Sequence, residues 1–298
     1  MANFDDLLNN DTPAGQQGNQ QLSKEGYAAK KQAERESVYV LADSTAIDIV
    51  NDGGRFKQFL DVQAKFDRYS AVNALLIFAQ KPESTRIGSF DFWKSQGGSV
   101  KQGQAGISIL EPGKEYERKD GNGTAVSYNI KKVFDISQVD TRKVKAAPPL
   151  TPFNDRQLLK ALIHKAPMKI SGVDKLPGDL GAMTNPGTGE ISIRKGMAFS
   201  DTFRSVANEL CHAEAASDDT ISDAQFTAYC ASYILCKKYG VDTKGYSFDN
   251  VAVMLAGLDS QAVKRELSQA RDTANTISGR MARQLDAVAK AARVQEAR

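Results

Sequence analysis

Hydrophobic residues recur at three- and four-residue intervals along much of the chain, which is the spacing of amphipathic helices. The predicted helices occupy, in chain order, residues 54–69, 70–80, 153–164, 200–216, 222–240 and 259–298. The second ends before Lys81-Pro82, because a proline disfavours helical backbone in the residue before it. The fifth begins at Ser222, which is a suitable N-cap.

Strands are predicted where apolar and polar residues alternate, at 107–110, 125–130 and 132–136, with a turn at 119–124 between the first two. In the second half, one short strand at 189–194 follows a Gly- and Pro-rich stretch that we expect to be a loop, 171–189. The pattern therefore predicts the α+β class: a small α+β domain, followed by a mainly helical domain with a short sheet.

Polar composition marks the expected boundaries of these domains. Residues 1–24 hold few large apolar side chains and cannot offset their ordering entropy, so we expect them to be disordered. The first domain is placed at 25–140 and the second, with its helical C-terminal tail, at 153–298. The stretch between them, 141–152, contains three prolines and is the predicted linker.

Composition and charge narrow the functional classes. Of 298 residues, 41% are hydrophobic and 25% are charged, as in soluble globular proteins. No apolar run approaches the ~20 residues of a membrane span, and the N-terminus has no signal-peptide pattern. We therefore expect a cytoplasmic protein without a membrane partner. The net charge of +3 conceals a basic middle segment, 54–145, with 16 Lys/Arg against 10 Asp/Glu, where a polyanion would bind.

The segment from Thr85 to Leu110 interleaves aromatic and basic residues with glycines. Unpaired bases stack on aromatic rings while cations follow the phosphates, so this composition favours single-stranded nucleic acid. The candidate DNA-binding residues are Tyr69, Arg86, Phe92, Trp93, Lys94 and Lys101. The alternative is that Phe90, Phe92 and Trp93 form a core cluster and the lysines only solvate the surface. Phe92 and Trp93 are adjacent, however, so on an extended segment at least one of them would face outward.

The helix at 200–216 carries a second candidate site. A zinc hydrolase places two imidazoles at positions i and i+4 of a helix, with a Glu beside the first that polarises the water. Here Asn208 stands where the first imidazole would be, followed by Glu209 as the candidate base and His212 as the second imidazole. The alternative is an ordinary amphipathic helix. The three cysteines show no metal-binding spacing and are predicted to be reduced core thiols.

Both halves of the chain resemble the plasmid-borne antirestriction proteins of the ArdC family. The resemblance in the first half rests on Tyr69-Ser-x-x-Asn73, Trp93, Gly97-Gly98, Gly106-Ile107 and Val133-Phe-Asp-Ile136. In the second half it rests on Gly189-Glu-Ile-x-Ile193, Glu209-Leu-x-His212-Ala213 and Ala231-x-Tyr233-x-x-Cys236. It implies a single-stranded-DNA-binding domain followed by a zincin-like metallopeptidase domain. It also implies that the protein protects incoming conjugative plasmid DNA from host restriction.

This chain departs from the family pattern at the metal site. The resemblance implies zinc or another divalent metal in intact members, held by a His at position 208 and an acidic residue at position 229. Here those positions are Asn208 and Tyr229, and only His212 is retained. We therefore expect no cofactor in this chain and an idle Glu209.

Whether the chain is an enzyme stays open, although the missing ligands favour an inactive form. One alternative is a metal-dependent peptidase that acts on a host regulatory or restriction protein. Another is an interaction scaffold in which the C-terminal domain and its charged tail bind a protein partner. A host protein at the peptidase-like cleft is a further candidate partner.

Overall fold

The computed structural model describes residues 24–117, 123–144, 153–185, 187–221 and 223–296. The predicted disordered segment, residues 1–24, lies outside these ranges except for its last residue. Most of the predicted 141–152 linker lies outside them too. The helices are α1 Lys24–Val50, α2 Gly53–Lys65, α3 Ala71–Gln80, α4 Phe90–Ser95, α5 Asp155–Ile163, α6 Phe199–Ala215, α7 Ala224–Lys238, α8 Val251–Met254 and α9 Ser260–Glu296. The strands are β1 Ile87–Ser89, β2 Ser99–Val100, β3 Ile107–Glu117, β4 Thr124–Asp135, β5 Val139–Asp140, β6 Ile170–Val173, β7 Ala182–Asn185 and β8 Glu190–Arg194.

Two compact units divide after Ser37, within α1. In the first unit the Lys31 ammonium lies 4.9 Å from the centre of the Tyr27 ring. All the other elements belong to the second unit. The predicted separation into domains at 25–140 and 153–298 stays a prediction.

Helix ends follow local capping chemistry. The Ser70 hydroxyl accepts the Asn73 N–H at the start of α3, and the Asn154 side chain accepts the Gln157 N–H at the start of α5. At the start of α7 the Asp223 carboxylate accepts the Phe226 N–H at 2.9 Å. Asp223 therefore caps this helix, one residue after the predicted N-cap. The long helix α1 was not predicted from the sequence.

The larger sheet has the antiparallel strand order β1-β4-β3. Ile107 pairs with Val133, and Gly88 pairs with Phe134. The register between β3 and β4 shifts between Pro112 and Glu115. Strands β2 and β5 form a separate two-stranded pair. The predicted strands of the first half are thus present, and β3 and β4 run further than the sequence indicated.

Helix α3 covers the free edge of β3 with two carboxamides. The Asn73 Nδ2 donates to the Leu110 carbonyl at 2.8 Å, and its Oδ1 accepts the Leu110 N–H at 2.8 Å. Gln80 makes the same pair of bonds with Ser108, at 3.0 and 2.9 Å. Each side chain therefore satisfies the backbone groups that an edge strand leaves unpaired.

The smaller sheet has the order β6-β8-β7, with β6 parallel and β7 antiparallel to β8. The expectation of a loop over 171–189 was therefore wrong, because this stretch contains most of β6 and all of β7. Both strands are only four residues long, and β6 contains Gly172, so their alternation was too short to detect in the sequence.

The same hydrophobic core contains residues from both halves of the chain. Phe56 on α2 packs against Phe226 and Phe248, with ring centroids 6.0 and 5.4 Å away. The Tyr233 hydroxyl on α7 donates to Asp61 Oδ1 on α2 at 2.6 Å. Burial of such rings removes apolar area from water, which is the main force that holds these helices together.

The α+β class predicted from the sequence is confirmed, with long helices around short sheets. All three cysteines are free and buried, as expected of core thiols. Burial raises the pKa of the Cys236 thiol to about 11. Within the described ranges, no helix is both long and apolar enough to cross a membrane.

Replacement of Asn73 tests the contact between α3 and β3. Asn73→Leu leaves the buried N–H and carbonyl of Leu110 without partners, so the free energy of unfolding should fall by about 2–4 kcal/mol. Urea denaturation measures the change. The matched control is Asn51→Ala, since Asn51 is exposed just after α1 and its side chain donates to the Ile47 carbonyl of that helix. This control should stay within about 0.5 kcal/mol of the parent. Equal stability of both variants would contradict the role given to Asn73.

Candidate functional site

A cleft of about 640 Å³ lies over the β1-β4-β3 sheet, between the start of α3 and helix α9. We call it the sheet cleft. Its aromatic and basic lining residues are Arg68, Tyr69, Phe92, Tyr128, Lys131 and Arg271. They come from four separate parts of the chain, and only the fold brings them together.

Three aromatic side chains line the sheet cleft with part of their surface exposed. Phe92 and Tyr128 are 38% and 41% exposed, and Tyr69 is partly buried. Burial raises the pKa of the Tyr69 hydroxyl, which therefore stays uncharged near neutral pH. Phe92 lies so close to Gly88 that a Cβ there would fall 2.1 Å from its ring, so any larger residue at this position would force the ring to move.

Three cations line the sheet cleft against one carboxylate, Glu111, among the described residues. Lys131 forms an ion pair with Glu111, and Arg271 with Asp272. Arg68 is exposed and has no ion pair within the described part of the chain. The lining thus carries a net positive charge, and the exposed guanidinium of Arg68 is not neutralised by a carboxylate of the described residues.

A second cleft of about 530 Å³, the α9 cleft, adjoins the first. Ser70, Leu110 and Tyr128 line both clefts. The α9 cleft adds Tyr39 and the exposed Arg265. The Tyr128 ring thus stands where the two clefts meet, and aromatic and basic residues continue from one cleft into the other.

The structure corrects the expectation that Trp93 stacks with bases. Trp93 is 0% exposed, and its indole N–H donates to the Phe134 carbonyl at 2.8 Å. The prediction assumed an extended segment, whereas residues 90–95 form the helix α4. On this helix Trp93 faces the sheet while its neighbour Phe92 faces the cleft.

The other predicted DNA contacts are only partly brought together. Tyr69 and Phe92 line the sheet cleft, whereas Arg86, Lys94 and Lys101 do not. The Arg86 guanidinium lies 5.2 Å from the Trp93 ring centre, and Lys101 donates to the Ser137 carbonyl at 2.9 Å.

Four cleft residues were missed from the sequence: Arg68, Tyr128, Lys131 and Arg271. Alternation along β4 could have indicated Tyr128. Nothing in the sequence links Arg271 to this sheet.

The predicted metal-ligand positions lie on α6 and α7. Asn208 and His212 are one turn apart on α6, and Tyr229 is on α7. Asn208 and Tyr229 line a common pocket of about 390 Å³, but His212 is not among its described lining residues. The Tyr229 hydroxyl oxygen accepts the Ser247 N–H at 3.0 Å. Burial raises the pKa of this hydroxyl, which opposes the phenolate form that a metal needs.

Glu209, the candidate base, is engaged by the smaller sheet. Its Oε2 accepts the Thr184 backbone N–H at 2.9 Å and the Thr184 hydroxyl at 2.6 Å. These bonds join α6 to β7. A carboxylate oxygen with two donors is less available as a proton acceptor, because abstraction of a proton would compete with both bonds.

The residues at this position do not fit a zinc or manganese ion. No group of three His, Cys, Asp or Glu side chains within the described ranges converges on a possible metal position. Cys211 and Cys230 are fully buried, and burial raises the pKa of both thiols. Neither therefore supplies the thiolate that a metal would bind. The arrangement instead offers neutral donors and acceptors.

Comparison with known protein families shows that residues 48–144 match the N-terminal domain of anti-restriction factor ArdC. The matched residues run from the end of α1 to beyond β5 and include most of the sheet-cleft lining. The chain carries an ArdC N-terminal domain. The resemblance predicted from the sequence is therefore confirmed.

A curated protein sequence and two solved structures are similar to a larger part of the chain, at low sequence identity. An uncharacterized protein of Bacillus anthracis is 25% identical over 312 residues, covering 85% of this chain and 53% of the relative. The chain thus spans about half the length of this curated relative. Crystal structures of the antirestriction ArdC protein from plasmid R388, metal-free and Mn(II)-bound, are both 19% identical. Both align over 72% of this chain, and over 86% and 85% of theirs, with TM-scores of 0.49 and 0.48.

The single tryptophan allows the placement of Trp93 in the ArdC N-terminal domain to be tested directly. A buried indole is shielded from water and from added solutes, so its fluorescence should be blue-shifted and resistant to quenching by acrylamide. The same measurement in concentrated urea supplies the exposed reference. Emission and quenching in the native protein that match the unfolded chain would place Trp93 at the surface.

Proposed function

We propose that the sheet cleft binds single-stranded DNA. The observation that carries the proposal is the convergence of Tyr69, Phe92 and Tyr128 with Arg68 and Arg271 in one cleft. Exposed rings supply stacking surfaces that tolerate any base, and arginines follow the backbone phosphates.

Single strands fit this cleft better than duplex DNA for a physical reason. In a duplex the base faces are stacked on one another, so the rings of Phe92 and Tyr128 would have no base to contact. The cations alone would still attract duplex phosphates. The difference between the two affinities therefore measures the contribution of stacking.

The proposed biological role is antirestriction. The family that matches residues 48–144 is described as an anti-restriction factor, and two solved structures are of an antirestriction protein from a plasmid. We infer that this protein covers plasmid DNA that enters a recipient cell as a single strand, and so delays cleavage by host restriction enzymes. The proposed place of action is the cytoplasm.

Tyr128→Ala tests the stacking contribution. The loss of one stacked base, about 1–3 kcal/mol, should weaken binding to a labelled single-stranded oligonucleotide by about 5- to 150-fold. Fluorescence anisotropy measures the dissociation constant. The matched control is Tyr116→Ala on the same hairpin, because Tyr116 is 53% exposed and lines neither cleft. Equal effects of the two variants, or equal affinity for single strands and duplex, would contradict the proposal.

The salt dependence of binding tests the charges. The logarithm of the association constant should fall linearly with the logarithm of salt concentration, and Arg271→Gln should reduce the slope by about 0.7. Lys94→Gln is the matched control, since Lys94 is exposed on α4 but outside the sheet cleft. If Lys94→Gln changes the slope and Arg271→Gln does not, the strand follows the α4 surface rather than the cleft.

We further propose that the second half of the chain is a zincin-like domain without catalytic activity. Its support is the pair of neutral residues at the ligand positions, Asn208 and Tyr229, together with the engagement of Glu209 by Thr184. The alternative, a metal-dependent peptidase acting on a host protein, would require ligands that this chain does not provide at those positions.

Zinc titration of substituted proteins tests this proposal. The parent chain and both single variants should bind no zinc at micromolar concentration. Asn208→His combined with Tyr229→Glu should bind one ion per chain, because two imidazoles and a carboxylate complete a zinc site. One zinc bound by the parent would contradict the inactive assignment. No zinc bound by the double variant would contradict the zincin-like geometry.

A further inference from the structure

The pocket at the former metal position has an unusual set of side chains, and we call it the amide pocket. Three carboxamides, Asn208, Gln225 and Asn250, line it together with three aromatic residues, Phe226, Tyr229 and Phe248. Phe226 and Phe248 are buried, whereas Gln225 and Asn250 are exposed. The aromatic residues therefore form its floor, and two of the carboxamides lie at its rim.

Asn208, one of the lining residues, has a side-chain oxygen without a hydrogen-bond partner among the described residues. The Asn208 Oδ1 is buried and accepts no hydrogen bond from any described residue. Buried carbonyl oxygens in folded proteins are nearly always paired, and an exception calls for an explanation such as a bound group. A ligand that donates an N–H to this oxygen would satisfy it.

The lining excludes a charged ligand group. None of the described lining residues is charged. Burial of an ion without a partner is strongly unfavourable, so the group that enters is neutral. The Tyr229 hydroxyl oxygen already accepts the Ser247 N–H, and its own proton remains available to a ligand acceptor.

These features together match the chemistry of a nucleobase. A base is neutral and planar, and its exposed edge carries donors next to acceptors, which side-chain carboxamides pair with. Sites that take an unstacked base read its edge by hydrogen bonds and hold its faces between aromatic or apolar side chains. The volume of about 390 Å³ falls within the range of small-molecule sites.

We propose that the amide pocket binds one unpaired nucleobase, with the Asn208 carboxamide bonded to its edge. The base comes either from a free nucleoside or from a bound single strand. This goes beyond the proposed function, because the amide pocket and the sheet cleft share no described lining residue. In a duplex the same edge is occupied by the opposite base, so only an unpaired base can enter.

The experiment titrates the full chain with adenosine, cytidine, guanosine and thymidine and detects binding by saturation-transfer NMR. At least one nucleoside should bind to the parent protein. Asn208→Leu, which keeps the side-chain volume but removes the carboxamide, should weaken that binding at least tenfold. Tyr116→Ala, at an exposed residue that lines neither the sheet cleft nor the amide pocket, should leave it unchanged. Thermal unfolding checks that each variant is folded.

A second variant covers the case in which Asn208→Leu does not fold. Gln225→Ala at the exposed rim should weaken nucleoside binding several-fold without affecting stability. A single-stranded oligonucleotide distinguishes the two sources of the base. If Asn208→Leu also weakens binding of the oligonucleotide, the base belongs to the bound strand. If it weakens binding of nucleosides only, the ligand is a free nucleoside. Both results support the pocket assignment.

Three results would overturn the proposal. The first is that no nucleoside binds at millimolar concentration. The second is equal binding by the parent, Asn208→Leu and Gln225→Ala. The third is that N-acetyl-phenylalaninamide binds and no nucleoside does, which would identify the amide pocket as a peptide site. Loss of oligonucleotide binding in Tyr128→Ala with nucleoside binding intact would leave the two sites independent, as proposed.

Discussion

The candidate interface depends on how α3 holds the free edge of β3. A carboxamide presents one donor and one acceptor, the same pair that a neighbouring strand would offer. Asn73 and Gln80 are two helical turns apart, about 10.5 Å, whereas Ser108 and Leu110 are only about 6.8 Å apart along β3. The Gln80 side chain is one methylene group longer than that of Asn73, and this extra length makes up part of the difference between the two spacings. The edge is thus closed to other strands without a further strand, and the start of α3, with Tyr69, is fixed beside the sheet.

Closing the edge with a helix leaves one face of the sheet open to α9. Arg271 on α9 lines the sheet cleft together with residues of β3 and β4, and Tyr128 on β4 lines both clefts. The ArdC N-terminal domain at 48–144 therefore contains the rings and two of the cations, but not the whole binding surface. Helix α9, which is distant in sequence from this domain, adds the positive charge of Arg271 to the sheet cleft. Because the aromatic contacts of Phe56 with Phe226 and Phe248 join both halves in one core, the placement of α9 relative to the sheet follows from that core.

Local pattern was sufficient to predict most helices and the larger sheet, because periodicity and caps are properties of short segments. The failures have different causes. Trp93 was misplaced because two adjacent aromatics were assumed to lie on extended backbone, whereas the Ser89 hydroxyl accepts the Phe92 N–H and starts a helix. The strands β6 and β7 were too short to show alternation. Arg271 joins the cleft through tertiary packing about 140 residues away from Lys131 in sequence, and no local signal records such a contact.

In the second half of the chain, the residue types at positions 208 and 229 decide which ligands the amide pocket can hold. A zinc site needs a cluster of anionic or imidazole donors. His212 belongs to no such cluster of three donors within the described ranges, and the nearby pocket residues Asn208 and Tyr229 are neutral. Glu209 keeps a role that needs no metal, since its bonds to Thr184 tie α6 to β7. The pocket lined by Asn208 and Tyr229 presents carboxamides and aromatic walls and has no charged side chain among its described lining residues, so a neutral group fits it better than a metal ion.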